Sequence, residues 1–222
     1  MEMTQDRWAY TCRYLQEVFG REDEQLATLM PRAVRAGLPD IAVSAEVGRL
    51  LKMLAGLCGE GRGARTIVEV GTLAGYSGIW LARGLRPGGK LITIEIEPRH
   101  RDFARSEFER AGMADRVELR LGAALDVLPI LARELGAGSI DLAFIDGVKA
   151  EYPEYFLLLK PLIRPGGMLV ADNVLGSSWW IDQESDPIRQ VVDRFNRTVA
   201  ADPEFEAVAI PVRQGVMVAR KK

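Results

Sequence analysis

The sequence predicts an α/β fold in which a mostly parallel sheet carries helices on both faces, and three observations predict it. From Thr66 onward, short apolar runs of strand length alternate with stretches of helical periodicity. Parallel strands need crossover connections, so this alternation is the signature of a parallel sheet. The turn signals Pro87-Gly88-Gly89 and Pro165-Gly166-Gly167 each stand before an apolar run, at helix-to-strand boundaries. The last two runs, Phe205 to Ile210 and Val216 to Ala219, are joined by Pro211-Val212-Arg213-Gln214-Gly215, a connection short enough for a hairpin.

Residues 1–40 are charged and irregularly apolar. They read as a helical lead-in, with helices near Trp8 to Phe19 and Glu22 to Ala36 that stop at Gly37 and Pro39. From Ser44, a candidate N-cap, Val47, Leu50, Leu51, Leu54, Leu57 and Cys58 recur at three- and four-residue steps, the spacing of an amphipathic helix. Strand and helix then alternate. Thr66 to Val70, Leu91 to Glu95, Val117 to Leu121, Asp141 to Ile145 and Met168 to Ala171 read as strands. Tyr76 to Leu85, Arg99 to Ala111, Ala124 to Leu135 and Pro153 to Ile163 read as the helices between them. A loop holding Trp179 and Trp180 leads to a helix at Pro187 to Val199 and the terminal hairpin. With no linker, repeat or low-complexity tract, the expected organisation is one domain over residues 1–222.

Composition narrows the function. Of 222 residues 48% are apolar and 27% charged, close to the globular average, which excludes a disordered or fibrous chain. The 29 basic against 31 acidic residues give a net charge of -2, without the basic excess of dedicated nucleic-acid binders. Cys12 and Cys58 are the only cysteines, too few for a disulfide framework or a thiolate metal site, and match a reducing compartment. His100 is the only histidine, which excludes a histidine-cluster zinc site; within Glu97-Pro98-Arg99-His100-Arg101 it reads as a solvated side chain. Charges at Glu2, Asp6 and Arg7 argue against a secretory signal, and the uncharged stretch Val70 to Ala82 is too short to span a membrane. The expectation is a cytoplasmic protein.

In an open α/β sheet, ligands bind beyond the carboxyl ends of the strands. The first such end is Glu69-Val70-Gly71-Thr72-Leu73-Ala74-Gly75-Tyr76-Ser77, a glycine turn that allows close ligand approach. A dinucleotide fingerprint needs glycine two positions after Gly71, where Leu73 stands, so the pyrophosphate reading falls. At the next strand end, Glu95 can accept two hydrogen bonds from vicinal ribose hydroxyls. A glycine turn without pyrophosphate geometry, followed by a ribose acid, suits a nucleoside without phosphates, of which S-adenosylmethionine is the common one. Ile145-Asp146-Gly147-Val148-Lys149 and Ala171-Asp172-Asn173 close two later strands, and βαβ geometry brings both to the same sheet edge. Asp146, Asp172 and Asn173 are hard oxygen ligands suited to Mg²⁺, or to another hard divalent cation such as Ca²⁺ or Mn²⁺, and would leave coordination positions open.

From about Ile41 to the C-terminus the chain resembles the cation-dependent class I O-methyltransferases, the catechol and caffeoyl-coenzyme A O-methyltransferases and their small bacterial relatives. The resemblance rests on Glu69 to Ser77, Ile94-Glu95-Ile96-Glu97-Pro98, Arg116 to Ala123, Ile145 to Lys149, Tyr152, and Ala171 to Val174, all in order. It implies a Rossmann-like, seven-stranded sheet whose last strand is antiparallel. It also implies that Val43, Gly71, Thr72 and Ser77 surround the methionine part of S-adenosylmethionine, with Glu69 shaping that site, Glu95 on the ribose, and Gly122 and Ala123 beside the adenine. Asp146 would face both cofactor and metal, Asp172 and Asn173 would complete the metal set, and Lys149 would lie near the accepting hydroxyl. Val148 and Gln214 depart from the acidic residues many bacterial relatives carry there, on the acceptor side.

The implied activity is methyl transfer to a catechol-like small phenol, with Lys149 as base and a homodimer as the expected assembly; nucleic acid and membrane are not expected partners. Three alternatives stay open on the residues alone: another acceptor, such as a non-catechol small molecule or RNA; a nicotinamide-dependent oxidoreductase; or a binding protein without turnover. Against the oxidoreductase stand Leu73 and the spacing of Tyr155 and Lys160, one residue too wide for a Tyr-x-x-x-Lys pair.

Overall fold

The computed structural model describes residues 4–176 and 185–222; Trp179 and Trp180 lie outside the described residues. Two helices, α1 (Gln5–Phe19) and α2 (Glu24–Arg35), precede α3 (Ala45–Gly61). Then follow β1 (Ala64–Val70), α4 (Tyr76–Ala82), β2 (Leu85–Glu95), α5 (Pro98–Arg110), β3 (Val117–Leu121), α6 (Ala124–Leu135) and β4 (Ile140–Ile145). A short turn at Lys149–Glu151 leads into α7 (Tyr152–Leu159), then β5 (Ile163–Asp172), α8 (Pro187–Ala201), β6 (Phe205–Ile210) and β7 (Val216–Lys221).

The seven strands form one sheet in the order β3-β2-β1-β4-β5-β7-β6. β7 pairs antiparallel with both β5 and β6, and the remaining neighbours are parallel. The expected antiparallel last strand and terminal hairpin are present. Period-two alternation sends Val68 and Val70 of β1 to one face, against Leu128, Leu131, Phe156 and Phe195 of α6 to α8. Ile67, Leu142 and Phe144 go to the other, against Leu29, Leu51, Ile79 and Phe108 of α2 to α5. Burial on both faces explains why these strands read as nearly continuous apolar runs.

Some expected boundaries shift. β2 starts at Leu85 and β5 at Ile163, so the helices expected through Leu85 and Ile163 stop earlier, at Ala82 and Leu159. Leu85 pairs with Ala64 and Ile163 with Ile140, each ahead of a register shift that the glycine pairs accommodate. Ser44 occupies the N-cap position of α3, but its hydroxyl donates to the Glu46 carboxylate at 2.6 Å instead of capping the helix.

Candidate active site

A cavity of about 600 Å³ opens over the carboxyl ends of β1, β2, β4 and β5, between the segment that precedes α3 and the turn that joins β6 to β7. Its size is ordinary for a small-molecule or cofactor site. Val43, Gly71, Ser77, Glu95, Gly122, Ala123, Asp146, Lys149 and Asn173 all line it. Glu69, Thr72 and Asp172 are buried behind the lining.

At one end lies the β1 turn. Gly71 has φ +99°, and a Cβ there would stand 2.3 Å from the Asp146 carbonyl oxygen, so only glycine lets β1 and β4 end side by side. Leu73, the residue that breaks the dinucleotide pattern, takes φ +48° and donates its N–H to Glu95 Oε2 at 2.7 Å. The Glu97 N–H donates to Glu95 Oε1 at 2.9 Å. Two backbone donors thus fix the Glu95 carboxylate while its side chain still lines the cavity. His100 is not the fully solvated side chain expected: it is only partly exposed, Nδ1 lies 3.6 Å from Glu95 Oε1, and the residue lines the cavity.

Beneath this turn sits a closed polar cluster. Ser77 Oγ donates to Glu69 Oε1 and Thr93 Oγ1 to Glu69 Oε2, both at 2.6 Å, and Thr72 Oγ1 and Thr93 Oγ1 share a 2.5 Å bond. Glu69 is fully buried. Burial raises its pKa to about 7, against the pull of the two hydroxyl donors and with the charges of Asp146 and Glu95 adding to the rise. Thr93 was not anticipated from the sequence; its place two residues before Glu95, on the same side of β2, is the signal that marks it.

The other end is electrostatically distinct. Lys149 Nζ donates to Asp146 Oδ1 and to the Tyr152 hydroxyl, each at 2.7 Å. The Tyr152 hydroxyl in turn donates to the Asp172 carbonyl oxygen at 3.1 Å. Asp172 Oδ2 pairs with Arg213 Nη1 at 3.2 Å, while its buried Oδ1 accepts no hydrogen bond among the described residues. Burial, then the nearby charge of Asp146, raises the Asp172 pKa to about 6, against Arg213, Lys149 and the Asn173 N–H. Asn173, at φ +60°, donates Nδ2 to Gln214 Oε1 at 2.5 Å. Among the described residues no three His, Cys, Asp or Glu side chains gather as a metal-binding group; the oxygen set here is two carboxylates and an amide. Arg213 carried no local sequence signal, because only the hairpin's return along β5 brings it to Asp172.

Comparison with known proteins places this architecture. The sequence pattern of the O-methyltransferase family matches residues 16–222. A catechol O-methyltransferase of Niastella koreensis is 41% identical over 198 residues, covering 89% of this chain and 87% of that protein. Among solved structures, an O-methyltransferase from Bacillus cereus in complex with SAH has a TM-score of 0.86 at 37% identity, covering 98% of this chain and 99% of the other. The O-methyltransferase TomG from Streptomyces achromogenes, involved in tomaymycin synthesis and solved with SAM, has a TM-score of 0.85 at 38% identity and covers 100% of both chains. Sheet order and the cavity over the strand ends define a Rossmann-like methyltransferase fold. Within that class, this chain belongs to the S-adenosylmethionine-dependent O-methyltransferase family, which removes the nicotinamide-dependent alternative.

Proposed function

We propose that this enzyme moves the methyl group of S-adenosylmethionine to one hydroxyl of a catechol-like aromatic, with a divalent cation, Mg²⁺ or a similar hard ion, held by Asp146, Asp172 and Asn173. The observation that carries the reading is the meeting of Asp146, Asn173 and Lys149 in the cavity wall with Asp172 buried directly behind them. Two carboxylates lie close enough to repel, and one keeps a buried oxygen that accepts no hydrogen bond among the described residues, a position open to a ligand. The donor atoms are all hard oxygens, which fits Mg²⁺ and not zinc.

In this reading the donor's ribose lies on Glu95, its adenine beside Gly122 and Ala123, and its methionine part among Val43, Gly71, Thr72 and Ser77. Glu69 holds Ser77 and Thr93 in place beneath. A bound cation would supply Lewis acidity to the acceptor hydroxyl, whose ordinary pKa of about 10 otherwise leaves it a poor nucleophile. Lys149 Nζ, oriented by Asp146 and Tyr152, is the group assigned to receive the hydroxyl proton. The acceptor oxygen then forms its bond to the methyl carbon as the carbon–sulfur bond breaks. Holding both partners over the same strand ends supplies much of the rate.

The catechol O-methyltransferase name of the Niastella relative supports the acceptor class. Exposed Tyr10, Tyr14 and Phe19 on α1 give a homodimer an apolar surface to cover. A cytoplasmic setting agrees with the two unpaired cysteines, and no helix among the described residues is long and apolar enough to cross a membrane. The test is a panel of phenols incubated with S-adenosylmethionine and read by mass. Vicinal diols should gain a methyl group, EDTA should stop the gain, and Mg²⁺ should restore it. Undiminished turnover in chelator would remove the cation from the reading.

A further inference from the structure

The turn between β6 and β7 meets the oxygen set at two adjoining positions. Arg213 pairs with Asp172 at 3.2 Å, and Gln214 accepts from Asn173 at 2.5 Å. Backbone bonds fasten the same turn to the same segment, from the Val174 N–H to the Gly215 carbonyl at 3.1 Å and from the Leu175 N–H to the Gln214 carbonyl at 2.8 Å. Arg213 therefore does not reach Asp172 by chance extension of a surface side chain. Its backbone holds φ +50°, a left-handed conformation that glycine or asparagine adopts at lower cost. The side chain lines the cavity with about a quarter of its surface exposed, whereas the Asp172 side chain is 1% exposed.

Together with Lys149, this gives each carboxylate its own basic partner, Lys149 on Asp146 and Arg213 on Asp172. Two positive charges then balance two negative ones without any ion. We infer that Arg213 is a built-in counter-cation that competes with a divalent ion for the charge of Asp172, so that an ion taken at the open Oδ1 must share the carboxylate with the guanidinium on Oδ2. The inference rests on the metal reading of the proposed function, and it concerns how tightly the ion is held. An ion entering between Asp146 and Asp172 meets the repulsion of Arg213 as well as the attraction of the carboxylates. Removing that charge should tighten metal binding, while removing Asp172 should abolish it.

The test is calorimetric titration of the full chain with Mn²⁺, without acceptor or donor, so that the readout is binding and not turnover. Arg213→Ala, which keeps a side chain at the same left-handed position but no charge, should bind Mn²⁺ about tenfold more tightly than wild type, within the range of coupling between contacting charged groups. Arg213→Lys, which keeps a cation there, should stay near wild type. Equal affinity in wild type and Arg213→Ala, or tightening by Arg213→Lys as large as that by Arg213→Ala, would overturn the competition while leaving the metal site standing. Absence of Mn²⁺ binding by wild type and both variants would overturn the metal reading itself and this inference with it.

Discussion

The Tyr152 hydroxyl joins two strand ends: it accepts from Lys149 Nζ at 2.7 Å and donates to the Asp172 carbonyl oxygen at 3.1 Å. The ring is fully buried, edge-on to Phe195 at 5.3 Å between centroids, so the hydroxyl has one place to be. Burial, with the charges of Asp146 and Asp172, raises its pKa well above the ordinary value and keeps it a donor. Tyr152→Phe preserves the ring and deletes the link. It should cost about 1–2 kcal/mol of stability, through the buried carbonyl left unsatisfied, and lower kcat by freeing Lys149. Thermal melts and steady-state kinetics check this; an unchanged kcat would detach Lys149's orientation from Tyr152.

Lys149→Ala removes the proposed proton acceptor and leaves the β1 turn and Glu95 untouched. Turnover should fall by about 10²–10⁴, while calorimetry shows donor affinity close to wild type. A variant that methylates at the wild-type rate would assign the base elsewhere.

Glu95 is held by two backbone donors, one per oxygen. In Glu95→Gln one of those oxygens becomes an amide nitrogen that cannot accept from Leu73 or Glu97. Donor affinity should drop about tenfold, the loss of one charge-assisted hydrogen bond. Calorimetric titration with S-adenosylmethionine measures it, and an unaltered affinity would move the ribose off Glu95.

Glu69 gives a pH dependence whose sign follows from its raised pKa. The folded chain holds the Glu69 proton up to about pH 7, whereas an ordinary glutamate releases it near 4.5. Between those values the folded state binds more protons than the unfolded state, so this contribution to stability is full below 4.5 and lost as pH rises through about 7. Glu69→Gln cannot ionise and still offers an oxygen and an amide to Ser77 and Thr93. Relative to wild type it should gain on the order of 2–3 kcal/mol on going from pH 4.5 to pH 8.5. Denaturant melts across that range decide it; a difference that stays flat with pH would show that Glu69 ionises normally.

Much of the scaffold could be read locally. α6, β3 and β6 match their expected ends because each is bounded by a change in hydrophobic period or by a turn residue next to it in the chain. β2 and β5 run further back than expected, since Leu85 and Ile163 become strand residues only through Ala64 and Ile140 on a neighbouring strand. The same divide separates the site residues. Glu69, Gly71, Glu95, Asp146 and Asp172 stand at strand ends, a position the alternation of elements marks, and Thr93 shares a side of β2 with Glu95, whereas His100 and Arg213 join the site through contacts with other segments.

The order of residues determined by itself that a parallel sheet forms, where its strands end, and which carboxylates those ends carry, because side-chain period and turn chemistry act within a few neighbouring residues. Which cation faces Asp172 was decided by tertiary structure alone, whereas Lys149 lies only three residues from Asp146. Arg213 meets Asp172 only after β7 pairs antiparallel with β5, and a charge pair depends on distance through space.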